Sequence, residues 1–444
     1  MLYPQLTRFL LPLVVTMVAH GLGMQVLNGG MARVPRPTET LAAFALAWGI
    51  ADFLASPLSP ARQISLVLAE DMRSFGQILL FVLACGGGLA VVVGALAVTP
   101  LGTWVIASLH SAPEPLEKVV RFALLWLIPY PVIEGLRRLL SGLLFRIRRT
   151  QVVSAATMVG IGVSIAAVVL LLPAPFVQRR PIWLPLIALY GAQLVDLMIL
   201  LWGCRRYALP HLRRGFAPGG PTATEHRVAQ PLSKLYLIRF FWPLALIMAI
   251  QGMSRPAVNL FISRGPQGEE ALAVLAVVYT LGHIPYGWLN ELRSLPTAFQ
   301  EEGEDGLRQI RRFSFSCGLI SFGIMIVLFW ISPVREFILQ DLVGLQPDLA
   351  ARGRLPLMIF AFFPLVVAPR SFFHGTALLQ RRTSSLAPSA PSRIGATLLA
   401  LLALPPAAIH GAARGIAALY CGFVMELVAA WWFVRQDRPR RLGK

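Results

Sequence analysis

The sequence predicts an all-α integral membrane protein: twelve transmembrane helices in two parallel six-helix repeats, an N-lobe and a C-lobe, around a central cavity. Three observations support this prediction. Hydrophobic residues make up 56% of the 444 residues, whereas soluble domains average about 45–50%. Several stretches of about 20 residues carry almost no charge, as a helix that crosses a bilayer requires. The same polar residues also recur in both halves of the chain.

The apolar stretches place the predicted spans in order along the chain. They lie at about residues 6–30, 40–66, 76–98, 119–146, 151–173, 181–203, 236–262, 269–298, 310–332, 354–379, 385–404 and 410–434. The longest connection covers residues 205–234, and its high content of glycine and proline is typical of a linker. We therefore expect an N-lobe at residues 1–204, a cytoplasmic linker at 205–234 and a C-lobe at 235–444.

Polar residues of the two halves are related by a nearly constant step. In the first and seventh spans a step of 231 residues relates Arg8, Pro12, Asn28 and Arg33 to Arg239, Pro243, Asn259 and Arg264. In the fourth spans a step of 233 relates Arg137 to Arg370, and in the sixth a step of 230 relates Asp196 to Glu426. Because each half has six predicted spans, both halves have the same orientation, which makes the repeat parallel.

The net charge of +19 comes mainly from arginines in short loops. The loops that lead from even to odd spans are the basic ones, so the positive-inside rule places both termini and the linker in the cytoplasm and the protein in a plasma or inner membrane. This topology explains the charge without nucleic acid as a partner. The four cysteines are scattered, and no motif predicts a metal, a cofactor or a catalytic site. We therefore expect a protein that is not an enzyme.

Charged residues inside predicted spans are the functional candidates, because each costs about 2.5–3.5 kcal/mol at the centre of a membrane helix on insertion scales. Arg137 and Arg370 occupy repeat-equivalent positions, and two such guanidiniums would form a site for carboxylate or phosphate. The alternative is that these arginines have a structural role in an ion pair, because Glu134 lies one helical turn before Arg137 and Arg138. The repeat-related acids Asp196 and Glu426 would bind a coupling cation or neutralise a nearby arginine.

For other polar residues in the spans, a role in ligand binding again competes with a structural role. Arg255 precedes Pro256, whose missing N–H loosens the helix and is typical of a transporter binding site or of a plain kink. His283 begins the densest polar and aromatic segment of the chain, where a ligand contact competes with ordinary packing. The remaining candidates for hydrogen bonds to a substrate or for ion pairs are Gln25, Asn28, Asn259, Glu291, Arg293 and His374.

Motifs along the chain resemble the progressive ankylosis protein family. The segments that carry the resemblance are Phe241-Trp242, Ser254-Arg255-Pro256, the stretch from His283 to Arg293, Phe362-Phe363-Pro364 with Arg370, and Gly422-Phe423 with Glu426. The resemblance implies a fold like the multidrug and oligosaccharidyl-lipid flippases, and export of pyrophosphate, ATP or citrate. At Arg137, Arg138 and Asp52 the chain differs in charge from the animal proteins of the family, which leaves its substrate open.

The combined prediction is a secondary transporter that exports multivalent anions by alternating access of two lobes. Intramembrane arginines would hold a small polyanionic metabolite, and the lipid bilayer would be the other partner. One alternative is a flippase for an anionic lipid or lipid-linked saccharide. Another is a non-transporting membrane regulator or scaffold, in which each buried arginine would be paired with an acid.

Overall fold

A computed structural model describes residues 2–31, 33–109, 114–214, 233–265, 267–343, 347–405 and 409–436. Within these ranges the ordered elements are helices, and no β-strand occurs. Nine of the described helices are long and apolar enough to cross a membrane, or eleven spans if each of two bent helix pairs counts as one. The chain is therefore an integral membrane protein with many spans, as predicted, while the count of twelve stays a prediction.

The described residues of the first half form eleven α-helices. They are α1 Tyr3–Met31, α2 Pro37–Ala55, α3 Ala61–Leu68, α4 Met72–Val98, α5 Pro100–Thr103, α6 Glu114–Trp126, α7 Tyr130–Arg146, α8 Thr150–Leu171, α9 Pro175–Arg179, α10 Trp183–Gly203 and α11 Leu209–Arg214. A π-helical turn, Cys204–Ala208, joins the last two.

Nine α-helices lie in the part of the second half that the structure describes. They are α12 Lys234–Ser263, α13 Gly268–His283, α14 Leu295–Ala298, α15 Gly303–Trp330, α16 Ser332–Glu336, α17 Pro347–Phe360, α18 Phe363–Leu379, α19 Ser389–Ala403 and α20 Gly411–Gln436. A 3₁₀ helix over Gly287–Ser294 leads into α14.

Two compact units divide the described chain. One contains residues 8–214 and 233–237, and the other contains residues 2–7 and 238–436. The first residues of α1 thus pack with the second half: the backbone N–H of Leu2 donates to Gln309 Oε1 at 3.4 Å, and Tyr3 lies edge-on to Phe313. The predicted boundaries at residues 204 and 235 remain a prediction.

Two spans that were predicted as continuous helices are broken. The predicted span 119–146 consists of α6 and α7, which meet at 45°, with Pro129 and Pro131 at the junction. The predicted span 269–298 bends by 46° after α13, where Pro285 precedes the 3₁₀ helix. Proline lacks the N–H of the helical ladder and clashes with the preceding turn, so both breaks have the same physical cause.

The sequence repeat is reproduced in the backbone. Among the described residues, those other than glycine with positive φ form two repeat pairs: Arg36 (54°) with Gln267 (52°), and Arg148 (59°) with Arg381 (56°). The hydroxyl of Thr150 donates to the carbonyl of Phe9 at 2.8 Å, and Thr383 donates to Phe240 at the same distance. Equivalent residues therefore make equivalent turns and contacts within each half.

A pair of glycines marks equivalent close contacts between helices. A Cβ on Gly142 of α7 would overlap the carbonyl oxygen of Arg62, and a Cβ on Gly375 of α18 would lie 2.5 Å from that of Arg293. We expect Gly142→Ala and Gly375→Ala each to lower the free energy of unfolding by about 1–3 kcal/mol through overpacking. Thermal unfolding of the purified protein in detergent measures this loss.

Gly88 provides the control, because a Cβ added there meets no atom within 4 Å. Gly88→Ala should leave the unfolding temperature unchanged or raise it, since alanine restricts the unfolded chain by about 0.5–1 kcal/mol relative to glycine. Equal melting temperatures for all three variants would contradict the close contacts.

Candidate functional site

A buried carboxylate in the second half holds two arginines. Glu426 of α20 has no exposed surface, and its Oε2 accepts from Nη1 of Arg370 of α18 at 3.0 Å and from Nη1 of Arg393 of α19 at 3.1 Å. Its Oε1 accepts from the side-chain amide of Gln251 of α12 at 2.9 Å. Four helices thus meet at one carboxylate, which satisfies the rule that a buried charge is paired and hydrogen-bonded.

Polar and aromatic groups complete the surroundings of the two arginines. Nη2 of Arg370 donates to Asn290 of the 3₁₀ helix at 2.5 Å. Both guanidiniums lie over the ring of Phe423, with Arg393 at 3.9 Å and Arg370 at 5.0 Å from its centroid. Cation–π contacts of this kind stabilise a charge without neutralising it. The cluster therefore has two positive groups for one negative group.

Several buried nitrogens of this cluster make no hydrogen bond. They are Nε of Arg370, Nε of Arg393 and Nε2 of His374, which lies 3.9 Å from Glu426 Oε1. Buried donors without a partner are costly, and each requires an explanation such as a ligand or ion. The cluster has hydrogen-bonding capacity that its own side chains do not use.

A third arginine lies beside the cluster. Arg255 of α12 is exposed, and its guanidinium lies 4.7 Å from the centre of the Tyr279 ring. The half-buried His283 packs edge-on to Tyr286 at 5.2 Å, and its Nδ1 is buried without a hydrogen bond. Tyr286 is close enough to Arg255, Arg370 and Arg393 to interact with all three charges. All three arginines are therefore within electrostatic reach of one aromatic side chain, that of Tyr286.

The equivalent position in the first half has balanced charges. Arg137 of α7 pairs with Glu134 at 2.7 Å and, through a short contact, with Asp196 of α10. Arg138 pairs with Glu134 at 2.6 Å. These contacts match the ion-pair interpretation of Arg137 and Arg138 and the neutralising interpretation of Asp196. Two guanidiniums here face two carboxylates.

The repeat shows where the two halves differ. A step of 233 places Gly160 of α8 opposite Arg393, and a step of 231 places Met24 of α1 opposite Arg255. The pair of Arg370 and Glu426 is shared with the first half as Arg137 and Asp196, whereas the two further arginines occur only in the second half. The second half therefore has two guanidiniums at one carboxylate, Glu426, and a third guanidinium, Arg255, over the ring of Tyr279.

The other predicted site residues lie in different surroundings. Asn28 and Asn259 are exposed, and the side chain of Gln25 lies outside the described residues. Glu291 and Arg293 are half-buried in the 3₁₀ helix and each has an interaction partner. As one acid and one base, they leave the charge balance of the second half unchanged.

Sequence reasoning missed four residues of the site. Arg393, Gln251, Asn290 and Phe423 were not among the predicted site residues. Arg393 had a detectable signal, since it is a charged residue inside the apolar stretch of residues 385–404. The others are uncharged, and only their packing against the arginines reveals them.

Comparison with known proteins identifies the family to which the chain belongs. A sequence profile described as progressive ankylosis protein (ANKH) matches residues 1–331. The chain belongs to the progressive ankylosis protein (ANKH) family. The resemblance noted in the sequence motifs is thus confirmed for this ANKH-family chain.

Solved structures show its fold. The chain is similar to the MATE transporter VcmN of Vibrio cholerae, with a TM-score of 0.67, 13% identity, and coverage of 98% of this chain and 96% of that one. It is similar to a MOP superfamily transporter from Pyrococcus furiosus, for which the reverse polarity of the binding pocket suggests a different function (TM-score 0.69, 13% identity, coverage 97% and 95%). The eukaryotic MATE transporter AtDTX14 also matches (TM-score 0.65, 14% identity, coverage 98% of both chains). This ANKH-family chain therefore has a MATE-like fold.

Proposed function

We propose that the protein is a secondary transporter of multivalent anions, such as pyrophosphate, a nucleotide like ATP, or a citrate-like carboxylate. The anion is held by Arg255, Arg370 and Arg393 of the second half and crosses by alternating access of the two halves. His283 and His374 contribute hydrogen bonds to the anion. Arg137 and Arg138, which were among the predicted substrate-binding residues, have a structural role in this proposal because both are neutralised in place.

One observation carries the proposal: the buried guanidiniums of Arg370 and Arg393 share the single carboxylate of Glu426, and a third guanidinium, Arg255, lies over Tyr279 in the same half. Two positive charges in a membrane span are costly unless an anion compensates them. A guanidinium presents a planar set of donors that matches phosphate and carboxylate oxygens. A ligand with two or more negative charges would balance the site, and a cationic drug would be repelled by it.

Membership of the ANKH family and the MATE-like fold support transport as the kind of activity. The excess of arginine supports the charge of the substrate. Of the three arginines, Arg255 lies within the residues 1–331 that the family profile matches, whereas Arg370 and Arg393 lie beyond them. The support for Arg370 and Arg393 comes from their contacts with Glu426.

The test is uptake of labelled pyrophosphate, ATP and citrate by proteoliposomes that contain the purified protein. We expect at least one anion to cross and unlabelled anions to compete. In Arg370→Ala the uptake at low substrate should fall by about tenfold or more, because a hydrogen bond to a charged group contributes about 1.5–3 kcal/mol. Arg370→Ala keeps the pair between Arg393 and Glu426, so the fold should survive.

Arg354→Gln is the matched control. Arg354 is an arginine of the same half that pairs with Glu336, and its side chain is 46% exposed. Its removal should leave the uptake at the wild-type rate. Absence of flux for every anion would reject the proposed function, while equal flux in wild type and Arg370→Ala would reject the site.

A further inference from the structure

We propose that a cavity at one end of the first half binds the headgroup of an anionic phospholipid. The cavity has a volume of about 300 Å³, and small-molecule sites in proteins range over about 300–1,000 Å³. Helices α2, α6 and α10 begin around it. The residues of the proposed anion site all belong to the second half, so this cavity is a separate site and its test does not depend on the proposed transport.

Basic side chains line the cavity. Arg36 directly precedes α2, Lys118 lies in the second turn of α6, and Arg180 comes shortly before α10; all three are exposed. The lining also contains the carboxylate of Glu39, which pairs with Arg36 at 3.4 Å. Lys118 pairs with Glu114 at 2.8 Å, but these side chains are 74% and 77% exposed, and such a pair contributes little and opens readily. The described lining therefore has three cations and one carboxylate, which attracts an anion.

The basic side chains lie at the level expected for lipid headgroups. Arg36 comes three residues before the membrane span Glu39–Leu68, and Arg180 comes three residues before the span Trp183–Arg214. Three residues of a helix rise by about 4.5 Å, so both side chains lie just outside the apolar part of the spans. Basic residues at this level attract the phosphate groups of anionic lipids.

The apolar part of the lining continues into an aromatic cluster. Val119 and Phe122 of α6 and the buried Ile182 line the cavity. The rings of Phe122 and Trp183 lie 5.3 Å apart, and Trp126, one turn further along α6, lies 4.9 Å from Trp183. Trp126 is 46% exposed, and tryptophan is enriched at membrane–water interfaces. A lipid with its headgroup in the cavity would therefore have an apolar surface for its acyl chain along α6.

Two of the arginines are held in place at the cavity. The guanidinium of Arg180 lies 5.7 Å from the centre of the Phe122 ring, and a contact of this kind does not use the N–H donors that bind phosphate oxygens. The backbone of Arg36 has a φ of 54°, and its carbonyl accepts from the hydroxyl of the buried Thr40 at 3.0 Å. The basic edge of the cavity is thus fixed by the fold.

The second half has the same corner, but a side chain fills it. By the repeat steps of 230–233 residues, the equivalents of Arg36, Glu39, Val119 and Arg180 are Gln267, Glu270, Arg352 and His410. Arg352 donates to Oε1 of Gln267 at 2.5 Å and pairs with Glu270 at 2.7 Å. The φ of Gln267, 52°, repeats that of Arg36. A guanidinium in the centre therefore holds this corner of the second half together.

The first half reverses the polarity of this contact. Its central position is the apolar Val119, and its cations lie at the edge, where the second half has Gln267 and His410. A cation fits the centre of the second corner, whereas an anion fits the centre of the first. A phosphodiester matches the donors of a guanidinium, and the adjoining apolar surface favours a phosphodiester that carries acyl chains.

The test is thermal unfolding of the detergent-purified protein titrated with phosphatidylglycerol, phosphatidylcholine or glycerol 3-phosphate. A ligand that binds the folded state raises the melting temperature. Phosphatidylglycerol should raise it at concentrations at which the other two have no effect. In Arg180→Gln the concentration for half of this rise should increase by roughly fivefold, the contribution of one basic residue near an anionic lipid. Arg179→Gln removes the neighbouring charge, which is outside the cavity lining, and should behave like the wild type.

Val119→Arg distinguishes the cavity from general surface charge. The new guanidinium should occupy the cavity and pair with Glu39, as Arg352 pairs with Glu270 in the second half. Although this variant adds a positive charge, it should lose the rise caused by phosphatidylglycerol. A rise equal to that of the wild type would show that the lipid binds outside the cavity and would overturn the proposal.

The exposed Arg180 keeps the proposal testable if Val119→Arg does not fold. An unchanged titration of Arg180→Gln, or an equal shift in Arg179→Gln, would overturn the site. Equal stabilisation by glycerol 3-phosphate would show that a free anion is recognised, and equal stabilisation by phosphatidylcholine would show that the charge of the headgroup is not. Either result, or no rise with any of the three compounds, would overturn the anionic phospholipid as the ligand.

Discussion

Replacement of Glu426 by glutamine is expected to lower the free energy of unfolding by about 3–5 kcal/mol, because it leaves two buried cations without their carboxylate. Glutamine has nearly the size of glutamate, so the loss reports charge and not volume. Arg370 and Arg393 would then face each other across a neutral group with side chains only 6% and 7% exposed. Thermal and chemical unfolding of the purified variant measures the loss.

A second substitution tests the cause. The double variant Glu426→Gln/Arg393→Gln removes one of the two cations as well, and should regain part of the lost stability. The coupling between the two positions should be about 0.5–3 kcal/mol, as for neighbouring residues of one network. Asp305→Asn is the control, since Asp305 is exposed where it pairs with the exposed Arg308. If the stability losses of the two single variants add up to the loss of the double variant, the pair between Arg393 and Glu426 does not stabilise the protein.

The Arg393→Ala variant is expected to fold while losing most of its affinity for the transported anion. Alanine is close in size to the glycine that the first half has at the equivalent position, Gly160, and Glu426 keeps its pair with Arg370. The half-saturating anion concentration in proteoliposome uptake should rise by roughly tenfold to a hundredfold, since a charge-assisted hydrogen bond contributes about 1.5–3 kcal/mol. The maximal rate should change less than the half-saturating concentration.

The reciprocal expectation concerns Arg137 in the first half. Arg137→Ala leaves Glu134 and Asp196 with one guanidinium between them, so it should destabilise the protein more than Arg393→Ala does. The melting temperatures of the two variants, measured side by side, decide this order. If Arg393→Ala melts lower than Arg137→Ala, Arg393 has a structural role and the anion site is misplaced.

Much of the fold could be predicted because it depends on the composition of long segments. Apolar stretches located the helices, and constant steps between polar residues revealed the repeat before any contact was known. The breaks near Pro129 and Pro285 were missed, since a bent pair of helices has the same hydropathy as one continuous span. Proline marks where a helix can break, but packing decides whether it does.

The site was predictable where it is duplicated. The pairs of Arg137 with Arg370 and of Asp196 with Glu426 were detected because the repeat preserves them, and each arginine contacts its own acid. Arg393 escaped because its counterpart is a glycine, so no repeat pair draws attention to it. A charged residue that occurs in one copy only is marked in the sequence by its place inside an apolar stretch and not by the repeat.

The glycine at one helix contact lies on different helices in the two halves, on α8 in the first half and on α20 in the second. In the first half Gly160 of α8 lies against Ala192 of α10, where an added Cβ would come within 2.9 Å of the Ala192 carbonyl oxygen. In the second half the equivalent of Ala192 is Gly422 of α20, and a Cβ there would come within 2.9 Å of the carbonyl oxygen of Arg393. The close approach of the two helices is kept while the residue without a side chain has moved to the partner helix. The arginine at position 393 therefore fits in the second half without moving the two helices apart. A side chain larger than glycine at position 422 would require a change at position 393 as well.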